Sequence, residues 1–413
     1  MPIIYSLVIR VYFSLIVIFS LFNNKAKLWL KGRRGLFNYI QSKIHSKEKI
    51  VWFHCASLGE FEQGRPVIEE FKSKFSDYKI ILTFFSPSGY ELRKNYQIAD
   101  YIFYLPIDLK KNARKFIELI NPQMVFFVKY EFWYYYIKTL HEKNIPLYMI
   151  SANFRRKQLF FRWYGGWYRG MLKYFTHLFV QEENSKKLLS SVGITNVSIC
   201  GDTRFDRVYS ISKQSKSLAL IESFKKRRLT LIAGSTWEKD EKILIKYINS
   251  SSNDWQYIIV PHEIQPEHIR KIIKSINKRS LKFSDANKQN IEDARVLIID
   301  SVGLLASIYK DGDVAYIGGG FGKGIHNILE AATFGIPVIF GPKYQKFREA
   351  KELIKQKGAF SVSNFSELKS KLDEFVFDKD MLRKSGEISQ KYVIFNLGAT
   401  RKIINGIRIY SVS

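Results

Sequence analysis

The sequence predicts an α/β protein: two doubly wound domains facing a cleft, preceded by an apolar helix that anchors the chain to a membrane. Three observations carry this expectation. From residue 50 onward, short apolar runs alternate with helix-like segments, the pattern of a parallel sheet covered by helices on both faces. The rhythm pauses in a Ser-, Lys- and Arg-rich stretch and then resumes. The length of 413 residues suits two domains of roughly 100–200 residues each.

The elements follow in chain order. Residues 3–22, IIYSLVIRVYFSLIVIFSLF, are apolar apart from Arg10 and a few serines and tyrosines, and about 20 such residues suffice to span a bilayer. A cleaved signal peptide would show a basic stretch before the apolar core and a small-residue cleavage site, and neither is present. Lys25, Lys27, Lys31, Arg33 and Arg34 come next and by the positive-inside rule stay cytoplasmic. Arg10 leaves spanning the bilayer and lying in its interface both open.

In the first half, KIVWFHCASLG reads as a strand and loop, with RPVIEEFKSKF as the following helix. KIILTFFSPSG, PQMVFFVKYEFW, IPLYMISANF and HLFVQEE read as four more strands. In the second half LTLIAGST, WQYIIVPHE, ARVLIID, DVAYIGGGFG and IPVIFGP continue the pattern. The expected boundaries are 1–24 for the anchor, 25–205 for the first domain, 206–228 for a linker and 229–395 for the second domain. Residues 396–413 form a C-terminal helix that packs back on the first. Ligands in such sheets sit beyond the carboxyl ends of the strands.

A formal charge of +28 constrains partners rather than fold: nucleic acid, anionic headgroups and phosphorylated substrates all fit it. The block FRRKQLFFRWYGGWYRGMLKYF, 154–175, mixes aromatic and basic residues without an acid. An ordinary surface helix and a stacking surface for single-stranded nucleic acid use the same residue types. Beside an apolar N-terminus, an anionic membrane surface is the simpler partner, and no nucleic acid is expected. Cys55 and Cys200 are too few and too far apart for a disulfide framework, which indicates a reducing compartment.

The chemistry concentrates at strand ends. In HCASLGEFEQGRP, Ser57 and Gly59 belong to a strand-to-helix loop and Glu60 stands near the helix start. Glu60 either serves as a general base or complements the positive end of the helix. In KYEFW, Glu131 either holds an acceptor hydroxyl or is a solvated strand-end charge. In GDTRFDRV, Arg204 has the planar fork that grips phosphate, or it pairs locally with Asp202 or Asp206. The most specific segment is YIGGGFGKGIHNILEAATFGIPVIFGP. There Gly319 lies in a Gly-rich loop and Lys323 adds a charge. A helix is expected to open near His326 and Asn327, with Glu330 one turn in. Such a loop and helix start favour phosphate. Ser235 and Thr236 could bind phosphate or base, and His262 either touches the nucleotide or packs structurally. Asp311 and Asp313 spell Asp-x-Asp but precede an apolar strand, the wrong end for a parallel-sheet site. They read as a turn, and no metal or other cofactor is expected.

These motifs resemble the bacterial 3-deoxy-D-manno-octulosonic acid (Kdo) transferases of the lipopolysaccharide core. The resemblance runs through H-C-A-S-L-G-E, L-P-I-D, Y-E-F-W, I-S-A-N-F-R, G-D-T-R-F-D, G-S-T-W-E, V-P-H-E and G-G-G-F-G-K-G-I-H-N-I-L-E-A-A, in order. It implies a GT-B fold with two Rossmann-like domains, and transfer of Kdo from CMP-Kdo to a lipid A precursor with inversion. The site would lie on the cytoplasmic face of the inner membrane. By that resemblance Glu60 is the general base, Glu131 is the second acidic residue of the acceptor side, Arg204 is near the CMP phosphate, and Gly319, His326, Asn327 and Glu330 belong to the donor loop and helix. Their places at strand ends assign Ser57 and Gly59 to the acceptor and Ser235, Thr236, His262 and Lys323 to the nucleotide sugar. The chain departs from many members at Lys129, where they have Glu, at Trp133-Tyr134-Tyr135, where they have Trp-Pro-Asn, and at Pro261-His262, where they have Pro-Arg-His. Another nucleotide-sugar enzyme of the same fold, a UDP-sugar transferase or an epimerase, is the alternative. A basic membrane- or RNA-binding protein without activity explains the charge but not the ordered loops.

Overall fold

The computed structural model describes residues 1–45, 48–225 and 228–407. The chain divides into two units, Met1–Arg207 with the chain from Leu397, and Val208–Asn396. Each is built on a seven-stranded sheet in which every paired neighbour is parallel.

In the first unit β1 (Ile50–Cys55), β2 (Lys79–Phe84), β3 (Tyr101–Tyr104), β4 (Met124–Val128), β5 (Leu147–Ala152), β6 (His177–Val180) and β7 (Val197–Ile199) run in the order β3-β2-β1-β4-β5-β6-β7. Consecutive residues enter cores on opposite faces. Trp52, Val125 and Phe127 pack on one side, and Val51, Phe53, Phe126 and Val128 on the other. Covering both faces is why these strands read as unbroken apolar runs. The order reverses between β1 and β4, so a crevice opens beyond their carboxyl ends.

In the second unit β8 (Leu229–Thr236), β9 (Trp255–Pro261), β10 (Ser280–Lys282), β11 (Val296–Ile298), β12 (Val314–Ile317), β13 (Val338–Phe340) and β14 (Ala359–Ser361) run β10-β11-β9-β8-β12-β13-β14. Its reversal lies between β8 and β12. Asp311 and Asp313 sit at the amino end of β12. Asp313 accepts from the Thr230 amide at 2.8 Å and pairs with Lys225 at 3.2 Å, while Asp311 accepts from Ser217 at 3.0 Å. They tie the strand's entry to neighbouring stretches of the chain.

The expected polar linker, 206–228, is largely helical: Thr203–Gln214 carries the chain past the boundary between the units and Ala219–Lys225 follows. Residues 226 and 227 of that stretch lie outside the described residues, as do 408–413 of the expected C-terminal helix. Within the first unit the helix Ala399–Gly406 buries Ile403 and Ile404 in the core beside Phe179. The Asp206 carboxylate accepts from the Gly398 and Thr400 amides, each at 2.7 Å. That fixes the start of this helix.

The N-terminal run forms one helix, Pro2–Phe19, long and apolar enough to cross a membrane, with Ile3, Leu7, Val11, Ile18 and Phe19 exposed. One face docks on the first unit. The Tyr5 hydroxyl donates to Asp108, and its ring meets Tyr134, Tyr135 and Trp167. Asp108 also accepts the Tyr135 and Tyr136 amides at 3.1 Å. One buried carboxylate thereby joins the apolar helix to the start of helix Tyr134–Glu142. The basic-aromatic block contains a short 3-10 turn, Leu159–Phe161, and a seven-residue helix, Gly166–Leu172. Phe160, Met171 and Leu172 are buried, while Trp163 is 89% exposed.

Candidate active site

In the first unit, β1 ends at Cys55 and the chain passes through Ala56 and Ser57 into the helix Leu58–Lys74. This helix starts before the expected Arg65, so Leu58 and Gly59 are helical rather than loop. Glu60 is its third residue and accepts the Ser57 amide at 3.0 Å, the carboxylate half of a capping box. Both expectations for Glu60 therefore meet in one side chain: it complements the helix start, and it is a half-buried carboxylate at a strand end. Burial raises its pKa above the ordinary glutamate range and the charge of Glu131 adds to this, while His54 and the Ser57 and Ala56 amides oppose it. Gly59 is exposed, and a Cβ there would meet nothing within 4 Å.

Glu131 is not a solvated strand-end charge. It is 7% exposed and accepts from Trp133 Nε1 at 2.6 Å, with His54 Nε2 at 3.1 Å. The cause is β1, which brings His54 level with the end of β4. Lys129 lies just beyond β4 with φ of 66°, a left-handed conformation that a non-glycine residue holds only under tertiary constraint. Burial and then Arg204 push its ammonium pKa down, opposed by Glu60 and Asp202. Arg204 pairs with Asp202, Nε to Oδ2 at 2.9 Å, whereas Asp206 is taken up by the C-terminal helix. The first unit thus gathers Glu60, Glu131, Lys129 and Arg204.

In the second unit the glycines serve backbone packing. A Cβ on Gly318 would lie 2.2 Å from the Ser235 carbonyl oxygen, and one on Gly320 would lie 2.5 Å from the Gly341 nitrogen. Gly319 has φ of +91°. Its amide donates to Asp240 at 2.9 Å, and its carbonyl accepts from Gly322 at 2.8 Å and Gly324 at 3.2 Å. The loop's close approach is therefore to the ends of β8 and β13. The following helix does not open at His326. The His326 amide bonds back to the Gly318 carbonyl at 3.1 Å, and Asn327 Oδ1 accepts the Leu329 amide at 3.2 Å. Asn327 is thus held as a cap, and only Leu329–Ala332 is helical. Glu330 consequently lies in the first turn and accepts from Asn327 Nδ2 at 3.1 Å. A helix this short offers little dipole for phosphate.

Thr236 is also redirected. It is buried, and its hydroxyl donates to Glu241 at 3.0 Å, so it braces the site rather than facing it. Ser235 has φ of 53°, and Lys323 and His262 are exposed. Trp237, His262 and His326 stack, with ring centres 4.4 Å apart for Trp237–His262 and 4.8 Å for His262–His326. Trp237 Nε1 donates to His326 Nε2 at 3.0 Å. The indole N–H is only a donor, so the His326 proton sits on Nδ1. Burial and then His262 lower the His326 pKa, against Asp240. His326 is therefore a neutral hydrogen-bond donor at physiological pH.

Sequence reasoning passed over four contributors: His54, Trp133, Trp237 and Asp240. Three of them stand inside quoted motifs, His-Cys-Ala-Ser, Tyr-Glu-Phe-Trp and Gly-Ser-Thr-Trp-Glu. A polar residue within the apolar β1 was a usable signal for His54. Asp240 carries none, because its role at the Gly319 amide depends on a contact across 79 residues.

Residues 30–207 match the family model described as 3-deoxy-D-manno-octulosonic-acid transferase (kdotransferase). A 3-deoxy-D-manno-octulosonic acid transferase of Aquifex aeolicus is 29% identical over 352 residues, covering 83% of this chain and 91% of the relative. One of Rickettsia bellii is 27% identical over 393 residues, covering 92% and 90%. Among solved structures, the UDP-GlcNAc 2-epimerase of Neisseria meningitidis superposes with a TM-score of 0.58 at 17% identity, covering 86% of this chain and 98% of that one. At that identity the likeness concerns the fold, which is of the GT-B type.

Proposed function

Because the chain belongs to the Kdo transferase family of glycosyltransferases, we propose that it transfers Kdo from CMP-Kdo to a lipid A precursor with inversion. The reaction would occur at the cytoplasmic face of the inner membrane, in lipopolysaccharide core synthesis. The carrying observation is the half-buried Glu60, its proton affinity raised by burial and by Glu131, at the point where the first sheet reverses. A carboxylate so placed suits general-base removal of a proton from a glucosamine hydroxyl, which then attacks the anomeric carbon. CMP departs with charge on its phosphate, which Lys323, His326 and Arg204, the last exchanging its Asp202 partner, would meet as donors. Glu60 and Arg204 belong to the first unit, Lys323 and His326 to the second.

The acceptor's lipid character is supported by the exposed apolar face of Pro2–Phe19 and by an apolar groove of about 530 Å³ lined by Ile4, Val8, Phe132, Leu159 and Trp167. The charge of +28 favours an anionic membrane and a phosphorylated acceptor alike.

The test incubates purified protein with labelled CMP-Kdo and the tetra-acylated precursor lipid IVA. Label should enter the lipid; turnover of a UDP-sugar instead, or no lipid product, overturns the reading. Glu60→Gln keeps an oxygen for the Ser57 amide but cannot take a proton. It should lower transfer by about 10²–10⁴-fold with CMP binding and thermal stability retained. Glu60→Ala should in addition lose about 1 kcal/mol of stability through the broken cap. Near-normal turnover in Glu60→Gln would remove Glu60 from the chemistry.

A further inference from the structure

Strand β1 is apolar except at one position: His54 is fully buried among Val51, Trp52, Phe53 and Cys55. A buried imidazole is tolerated only when its nitrogens are paired. Here Nδ1 lies 2.8 Å from Thr83 Oγ1 and Nε2 lies 3.1 Å from Glu131 Oε2. Register explains the first contact, because His54 and Thr83 are partners across β1 and β2.

The direction of the chain of bonds follows from its ends. Trp52 Nε1 donates to Thr83 Oγ1 at 2.7 Å, and an indole nitrogen cannot accept. The Thr83 proton then has two outlets, His54 Nδ1 at 2.8 Å and the Phe53 carbonyl at 3.4 Å. The shorter bond places it on Nδ1, so neutral His54 carries its own proton on Nε2, aimed at Glu131. Trp133 Nε1 lies 2.6 Å from the same carboxylate oxygen and 3.1 Å from His54 Nε2, and the shorter contact takes its proton. Two donors converging on one oxygen bond most strongly to a charged carboxylate, so they fix its rotamer and favour its negative charge.

We propose that His54 is a positioning residue that, together with Trp133, fixes the Glu131 carboxylate at the end of β4 so that its charge acts on Glu60. The proposal rests on the reading of Glu60 as general base and adds the Glu131 charge to the burial that raises its proton affinity. The charged and titratable groups that act with Glu60 are Glu131, His54, Lys129 and the Cys55 thiol. Of these, Glu131 is the group whose negative charge raises the proton affinity of Glu60.

The experiment compares pH–rate profiles for Kdo transfer by wild type, His54→Phe, His54→Gln and Glu131→Gln. A base acts deprotonated, so the rate falls as pH drops through its pKa. His54→Phe removes one of the two donors, loosens the Glu131 carboxylate and reduces its effect on Glu60. The acid limb should move to lower pH and the plateau rate should fall about tenfold. Glu131→Gln should move the limb the same way. The double variant should move it no further, since one charge cannot be lost twice. His54→Gln, with an amide N–H to offer Glu131, should restore much of the wild-type profile.

Nitrogen NMR of wild type gives a reading independent of any variant's folding: the neutral His54 ring should hold its proton on Nε2. An unmoved acid limb in both His54→Phe and Glu131→Gln, or an Nδ1–H tautomer, overturns the proposal. If wild type transfers no Kdo, or Glu60→Gln stays active, the underlying reading fails instead.

Discussion

At the scale of single residues, the same side chain can cap and catalyse. Glu60 is bound to the Ser57 amide at 3.0 Å, which locks its rotamer without consuming its charge. Burial keeps its pKa above the ordinary range, so transfer should decline as pH falls through a value above about 4.3, the unperturbed glutamate. Gly59, next to it, tests the use of the surrounding space. No atom lies within 4 Å of a Cβ there, and the position is helical, where glycine is about 1 kcal/mol worse than alanine. Gly59→Leu should therefore leave the melting temperature unchanged or higher. If the acceptor passes over this turn, its KM should rise by about tenfold or more while CMP affinity stays constant. An unchanged acceptor KM would move the acceptor's path elsewhere.

At the scale of elements, strand ends were legible where strands are central and illegible where they are marginal. The ten strands expected from apolar runs are all present, while β3, β7, β10 and β14 escaped notice. Those four are the sheet edges. Each has three or four residues, too few to show a period, and an edge needs only one paired neighbour. The Gly-rich loop was legible as a site element, but the task of its glycines was not. They admit β8 and β13 into backbone contact. Gly318→Ala should accordingly force β8 and β12 apart at their carboxyl ends. We expect a loss of about 1–3 kcal/mol in denaturant unfolding and weakened nucleotide binding, because Ser235 carries the carbonyl that must move. Full retention of both would show the loop to be more compliant than its packing indicates.

At the scale of the whole molecule, charge and apolar surface combine at the N-terminus. The helix Pro2–Phe19 exposes Ile3, Leu7, Val11 and Ile18 yet is held to the first unit through Tyr5 and Asp108. Electrostatic attachment weakens as the screening length falls from about 10 Å at 0.1 M salt to about 3 Å at 1 M, whereas apolar insertion does not. A variant lacking residues 1–19 should cosediment with anionic vesicles at low salt and be released at high salt, with the full chain retained at both. Equal release of the two would deny this helix an anchoring role. Taken alone, the sequence determined the two α/β halves, the apolar helix and the motifs at strand ends, because periodicity and apolar runs are properties of neighbours in the chain. Only the tertiary structure decided which polar groups those motifs consume. Thr236 is spent on Glu241, Arg204 is paired with Asp202, and Glu131 is buried against a histidine 77 residues away. The first two settle between partners close in the chain, and the last depends on strand order and register, which bring His54 and Glu131 to 3.1 Å where water is excluded. There each unpaired group would cost about 1–3 kcal/mol.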